Sequence, residues 1–330
     1  VNFICADIFV SIRFKIDLMF REVGFFQKEV WGRVINRFKM LCGASLNEVS
    51  KIQIGKMKTI ILGNKYDILF HFFPILSGES VSIKFVKQNQ DPEPLEDLNL
   101  TKVNLQKITK ILEQKEGMVL LNLEGKHLIP SFLNTLDLKS LDVLNVIEGF
   151  EVKLPFVKNL KAEISLGFIK DNKPDVLIAQ EPNILGMKSF CFSDANDTFS
   201  MIQGIDISKL CGAIVVLKIR KLCDFCKIEV PIELEILTKL RLAKTDVRKI
   251  YKASGCAKCN EIGYRGTSLI WEVLSMDLDT EEVLAEKNLT RKKFLEGVKK
   301  KGFSTIFEDA RLKVLQGVTD IEELKRLIGF

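Results

Sequence analysis

The sequence predicts an α/β fold in three parts: a small α+β domain, a layered core on a buried sheet, and a helical C-terminal region carrying a metal-binding module. Three observations predict it. Residues 1–86 alternate apolar and polar side chains over short segments, as half-buried strands do. Residues 104–221 gather their apolar side chains into short continuous runs, as strands buried on both faces do. Two Cys-x-x-Cys pairs then introduce a tail of helical periodicity.

In the first part, Val10-Ser11-Ile12-Arg13-Phe14-Lys15-Ile16 reads as a strand. Lys58–Leu62 and Tyr66–Phe70 read as a strand pair around a Gly63-Asn64 turn. Val30, Val34, Phe38 and Leu41 recur at helical spacing over Glu29–Leu41, and Gly43 stops that helix. Residues 87–98 are polar with two prolines and read as a linker, extended here to 103. A helix follows with Leu105, Ile108, Ile111 and Leu112 on one face, closed by Gly117. Met118–Leu121, Val143–Ile147, Asp175–Ala179 and Cys211–Ile219 are the buried strands. The tail reads as helices over Asp279–Glu286, Thr290–Lys300, Ser304–Leu315 and Asp320–Ile328, with Thr319-x-x-Glu322 as a capping box for the last.

The 330 residues are 47% hydrophobic, enough for real cores, and carry a net charge of +6, mostly as lysine. That mild excess suits a membrane surface or an acidic partner. No compact arginine-rich or lysine/aromatic strip marks a nucleic-acid binder. No apolar run reaches the ~18–20 residues that span a bilayer. Val1 is an unusual first residue and leaves open a start inside a longer reading frame. Of eight cysteines, Cys5, Cys42, Cys191 and Cys211 are scattered singles expected to be buried, a pattern that suits a reducing compartment with one metal site. The other four form Cys223-x-x-Cys226 and Cys256-x-x-Cys259 across a spacer of 29 residues. Four thiolates offered in pairs predict a closed tetrahedral zinc site, which holds structure and has no open position for chemistry.

Cys223-x-x-Cys226, then Gly255-Cys256-x-x-Cys259-Asn260-x-x-Gly263-Tyr264-Arg265-Gly266 and Glu272-Val273-Leu274, resembles the zinc module of the type II secretion and type IV pilus assembly ATPases. Gly302-Phe303-Ser304-Thr305-Ile306-x-Glu308-Asp309-Ala310 and the tail to Leu324 continue the likeness. At the front, Ala6-Asp7-Ile8, Arg37-Phe38-Lys39 and Pro74-x-x-x-Gly78-Glu79-x-Val81-x-Ile83-Lys84 resemble that family's second N-terminal domain. The resemblance implies a PAS-like second N-terminal domain over 1–86, a linker over 87–103, a RecA-like P-loop NTPase-type core over 104–221, and a zinc-binding helical region over 222–330. It implies a hexameric ring at the cytoplasmic face of the inner membrane, peripheral to it, driving a membrane platform protein with ATP and Mg2+.

The residues that should run that chemistry are altered. A phosphate cradle follows the pattern Gly-x-x-x-x-Gly-Lys-Ser/Thr, with backbone N–H groups, a lysine and a hydroxyl facing the nucleotide. Here the strand continues Asn122-Leu123-Glu124-Gly125-Lys126-His127: Gly125 and Lys126 remain, the first glycine is gone, and His127 replaces the hydroxyl. Glu148 matches the residue that polarises the attacking water, but the aspartate after it is Gly149. Glu181 matches the glutamate that handles Mg2+, but Gln180 replaces the glycine before it and Pro182-Asn183-Ile184 follows. The segment to Asn196 is too short for the family's next helix, and no histidine follows. Leu69 stands where an arginine reaches a neighbour's nucleotide, and His71 reads as a strand residue.

Five altered parts predict a degenerate subunit with lost or impaired hydrolysis and a structural or regulatory role, in a ring of its own kind or mixed with an active paralogue. One alternative is an active ATPase that uses Lys126, Glu148 and Glu181 with a minimal loop. Another is a zinc-ribbon binder unrelated to secretion. The mixed charge of the spacer, with Glu229, Glu233, Glu235 and Asp246 among its lysines, speaks against a nucleic-acid role for it.

Overall fold

A computed structural model of the chain describes residues 1–88, 91–160, 166–180, 186–242, 249–286 and 288–329. It divides into two compact units, Val1–Asp91 and Pro92–Phe330.

The first unit is a six-stranded antiparallel sheet with one helix on it. Its elements are β1 (Asn2–Cys5), β2 (Phe9–Ile16), β3 (Met19–Gln27), α1 (Lys28–Cys42), β4 (Gln53–Ile61), β5 (Asn64–Ile75) and β6 (Gly78–Lys87). The spatial order is β3-β2-β1-β6-β5-β4. Phe70, Phe72, Val81 and Val10 bury under α1 from one face of the sheet. The helix presents Trp31, Ile35, Lys39 and Cys42 to them as its buried residues; of the expected stripe, Val34 and Phe38 pack half-buried against the same core, while Val30 and Leu41 are exposed. One of these buried residues is charged, Lys39. Its fully buried ammonium pairs with Glu79 at 2.8 Å and donates to the Glu48 carbonyl at 3.1 Å, so a charged residue occupies the inward face. Gly43 ends the helix in the left-handed conformation, as expected. The β4–β5 turn is Leu62-Gly63 rather than Gly63-Asn64, because Ile61 already pairs with Asn64.

The second unit begins with α2 (Lys102–Glu113), β7 (Gly117–Asn122), α3 (Ile129–Leu133), β8 (Val143–Asn145), β9 (Val157–Asn159), α4 (Leu166–Asn172), β10 (Val176–Ile178), β11 (Lys188–Ser193), α5 (Thr198–Met201) and β12 (Leu210–Leu222). It continues with β13 (Ile228–Pro231), α6 (Leu234–Lys239), β14 (Lys249–Lys252), β15 (Tyr264–Ser275), α7 (Leu278–Leu284), α8 (Arg291–Lys299), α9 (Ile306–Leu315) and α10 (Ile321–Ile328). A seven-stranded sheet runs β15-β12-β7-β11-β10-β8-β9, parallel throughout except for the antiparallel edge strand β15. Along β7, Val119 and Leu121 enter one core with Ile108, Phe132 and Trp271, while Met118 and Leu120 enter a second with Ile270 and Phe294. That two-sided burial is why these strands read as unbroken apolar runs.

Five strands of this unit escape the sequence reading: β9, β11, β13, β14 and β15. β11 fills the gap between β7 and β10, and β15 brings a strand of the C-terminal region onto β12. Gly117 opens β7 at φ +108° instead of closing α2, whose C-cap is Gln114. The last helix is capped by Asp320, which accepts from the Glu323 N–H; the reciprocal capping box lies at Thr305 and Glu308. Among the described residues no helix is long and apolar enough to cross a membrane.

Candidate functional site

In a sheet of this topology, ligands bind beyond the carboxyl ends of the parallel strands. β7 ends there in Asn122, buried at 2% exposure. Its amide Nδ2 donates to the Val216 carbonyl at 2.8 Å, and its Oδ1 accepts from the Val216 N–H at 3.0 Å and the Gly125 N–H at 3.2 Å. The chain therefore folds directly into a tight 3-10 turn over Leu123–Leu128 and on into α3. Gly125 is packed down: a Cβ there would lie 3.1 Å from Leu121 Cδ2. The Glu124 carboxylate accepts the Lys218 N–H at 3.1 Å, and His127 Nδ1 meets the Glu124 carbonyl. Burial, reinforced by the charge of Lys218, pushes His127 down to about 4. The turn thus directs the Gly125 amide inward and places an anionic side chain beside it, the reverse of a phosphate nest.

Lys126 does reach the strand ends. Its ammonium lies 5.1 Å from the Phe150 ring centroid and 5.2 Å from that of Phe192, and 3.5 Å from Gln180 Oε1. Two aromatic faces and an amide hold the cation there. Among the described residues no carboxylate pairs with it, and desolvation lowers its pKa. Glu148 is exposed on the loop after β8. Asn145 and Asn159 staple that loop: Asn145 Nδ2 donates to the Phe150 carbonyl at 2.6 Å, and Asn159 Oδ1 accepts the Val152 N–H at 2.8 Å. Glu181 lies outside the described residues. The structure thus brings Gly125 and Lys126 together with Gln180, Phe150 and Phe192. The sequence reading missed Asn122 and the two phenylalanines; a polar residue directly after an apolar strand was the one signal for them.

The four paired cysteines converge. All four Sγ atoms lie within 4.8 Å of one another. The separations for Cys223–Cys256, Cys226–Cys259 and Cys256–Cys259 are 3.9, 3.8 and 3.8 Å. A tetrahedron with Zn–S arms of ~2.3 Å has edges of ~3.8 Å, so the cluster has the size of a zinc site. Strand pairing on both sides makes it so. Leu222 pairs with Tyr264 in the β12–β15 ladder, and Ile228 pairs with Lys252 in the β13–β14 ribbon. Each Cys-x-x-Cys turn is held between those two pairings. Backbone N–H groups of Gly255, Cys256 and Gly263 point at Cys226 or Cys259 sulfurs at 3.2–3.3 Å. Burial raises Cys259, but the Gly263 and Cys256 N–H groups and the neighbouring thiols outweigh it and bring it down to about 6. Gly255 and Gly263 have φ of +128° and +82°; a Cβ at Gly255 would strike the Glu261 backbone and one at Gly263 would strike Ala253.

The base of this module is tied to the tail. Tyr264 Oη donates to Asp320 at 2.8 Å, and Lys227 Nζ donates to the Gly317 carbonyl at 3.1 Å. Arg220 pairs with the buried Glu323 at 2.6 Å and lies over the Tyr264 ring at 4.0 Å. At the opposite, amino ends of the strands is a cleft of about 800 Å3 bordered by Leu112, Lys170, Asp175 and Met187. Lys188, also on its wall, is spent as a cap: Nζ donates to the α2 carbonyls of Ile111 at 3.3 Å and Leu112, and to Gln114 at 2.7 Å. Burial brings it down to about 8.

A family described as "Type II/IV secretion system protein" matches residues 1–123 and 185–326. Gly125, Lys126, Glu148 and Glu181 all fall between those stretches. The chain is 24% identical to the type IV pilus assembly ATPase PilB of Thermus thermophilus, over 96% of its own length and 39% of the relative's. It is 24% identical to the type II secretion system ATPase E of Vibrio cholerae, over 96% of its own length and 69% of the relative's. In fold it is similar to the ATPase DotB of Legionella pneumophila, with a TM-score of 0.53 at 13% identity, covering 98% of this chain and 91% of that one.

Proposed function

This chain belongs to the type II/IV secretion system protein family, and on that premise we propose that it is a subunit that has lost or impaired hydrolysis and acts by shape and contact. The observation that carries this reading is the turn after β7. Asn122 occupies the Gly125 amide, Glu124 adds negative charge, and Lys126 rests on Phe150 and Phe192. Transition-state stabilisation in phosphoryl transfer depends on donors aimed at the phosphates, and this turn aims its glycine donor elsewhere.

The subunit works at a membrane platform protein on the cytoplasmic face of the inner membrane, within a hexamer of its own kind or a ring shared with an active paralogue. Cys223, Cys226, Cys256 and Cys259 hold one Zn2+. The ion supplies a closed structural crosslink. Around it the Gly255, Cys256 and Gly263 amides stabilise the thiolates, and the Tyr264–Asp320 bond passes the order on to α10.

Calorimetric titration with ATP, with and without Mg2+, and a turnover assay test the reading. The expected result is no Mg-dependent turnover, and a Lys126→Ala variant indistinguishable from the parent. Turnover that Lys126→Ala abolishes would overturn it in favour of an ATPase working through Lys126, Glu148 and Glu181.

A further inference from the structure

Two hairpin apices point from the same end of the first unit's sheet. Both have two-residue turns with both residues left-handed: Asp17-Leu18 at φ 46° and 66°, and Leu62-Gly63 at 48° and 78°. Such turns favour Asn, Asp and Gly, which adopt positive φ at least cost. Leucine takes one position in each. Leu62 is 95% exposed, with Ile60 at 66% and Ile61 at 38% beside it. At Leu62 fold stability does not explain this, since the side chain that strains the turn is almost fully exposed; Leu18 is half-buried.

Topology puts the second apex alongside. β6 runs antiparallel to β5, which sets Lys87 opposite Tyr66 near the Leu62 apex. Asn2 pairs with both Ser82 and Arg13, so β2 climbs toward the same end as β6. The Asp17-Leu18 apex, with exposed Ile16 and Phe20, therefore stands about four strand spacings away, roughly 19 Å.

Exposed lysines collar both: Lys15 behind the first, and Lys58, Lys65 and Lys87 behind the second. On β4–β6 the carboxylate at this end is Asp67, which is buried and paired with Lys56 at 3.3 Å. The first apex carries one carboxylate, Asp17, among Ile16, Leu18 and Phe20, and the Leu62 apex carries none. Largely apolar tips ahead of a basic collar match a bilayer with anionic headgroups, which takes the apolar side chains into its acyl boundary and the ammonium groups at its surface. An acidic protein surface would use the collar and leave the tips without a role.

We propose that the Leu62 and Leu18 hairpin apices form a docking face for an anionic lipid surface. The proposal rests on the first unit alone and not on the state of the nucleotide turn. Co-sedimentation of the full chain with vesicles of phosphatidylcholine plus phosphatidylglycerol tests it. Binding is expected to those vesicles, to fall steeply with salt, and to be absent with phosphatidylcholine alone. Lys58→Glu with Lys65→Glu should weaken it by about fivefold or more per lysine. Leu62→Asn removes the tip yet supplies the better turn residue, so it should keep thermal stability and lose most vesicle binding. Leu62→Trp should show a blue-shifted emission on binding, separable because Trp31 and Trp271 are already buried. Failure to bind anionic vesicles overturns the proposal. Binding unchanged in the tip and collar variants overturns it too, as does an equal loss in a charge-matched control, Lys102→Glu with Lys139→Glu.

Discussion

Asn122 meets the amide of the turn at the end of its own strand, accepting the Gly125 N–H. One buried side chain ties β7, β12 and the 3-10 turn through three hydrogen bonds. Asn122→Ala leaves buried donors and an acceptor without partners, and should cost on the order of 2–3 kcal/mol. Denaturant unfolding of the second unit measures it. A loss under ~0.5 kcal/mol, the range of an inert surface change, would show that the turn holds without this residue. The sequence shows Gly125 and Lys126 as a Gly-Lys pair after a buried strand. Their meaning was not legible there, because a glycine packed for close approach and a glycine freed for a ligand look alike in one dimension. Only the positions of Leu121, Phe150 and Phe192 distinguish them.

At the scale of elements, the cysteine module shows how pairing converts sequence spacing into a site. The two turns meet because ladders on both sides fix their feet, and the positive-φ glycines Gly255 and Gly263 let the loop backbone at Glu261 and Ala253 approach closely. Purified protein should carry one zinc per chain by elemental analysis. Cys256→Ser should release it and open the 223–262 segment to protease, since the ligand set is then short of one thiolate. Protein prepared without chelator and holding no metal would sink the assignment. The spacing of the two pairs is enough to make this cluster readable in one dimension. α1 is the opposite case. Val34 and Phe38 of the expected stripe pack on the core, but Val30 and Leu41 are exposed and the buried set includes Lys39, whose ion-pair partner Glu79 lies forty residues away. A charged residue on the inward face is invisible to periodicity until its partner is known.

At the scale of the whole molecule, the sheet of the second unit ties its stability to pH through the C-terminal helix. Burial alone would raise Glu323, but Arg326 and the N–H and guanidinium of Arg220 outweigh it and hold its pKa below the ordinary 4.5. A depressed carboxylate contributes in full above the unfolded value and loses that contribution as pH falls through the folded one. Stability should therefore fall below about pH 4.5 in the parent. In Glu323→Gln that acid-sensitive part should shrink, with a loss of ~3 kcal/mol at neutral pH from breaking a buried pair. Thermal unfolding across pH measures both. Glu272 and Asp309, raised chiefly by burial, act in the opposite sense and blunt the decline. An unchanged acid limb in Glu323→Gln would assign the acid sensitivity to other groups.

The family was legible in the sequence itself, because glycines, cysteines and charged motifs in fixed order survive at low identity, and the match over 1–123 and 185–326 bears that reading out. So were the main buried strands and the tail helices, whose local periods report their own burial. The tertiary structure alone decided the rest. β11 and β15 became strands because they had neighbours to pair with, the buried Lys39 of α1 found its partner in a distant glutamate, and the turn after β7 closed on Asn122 because Val216 lay beside it. Each of these depends on contacts between residues far apart in the chain, and local patterning carries no record of which distant partner a side chain will meet.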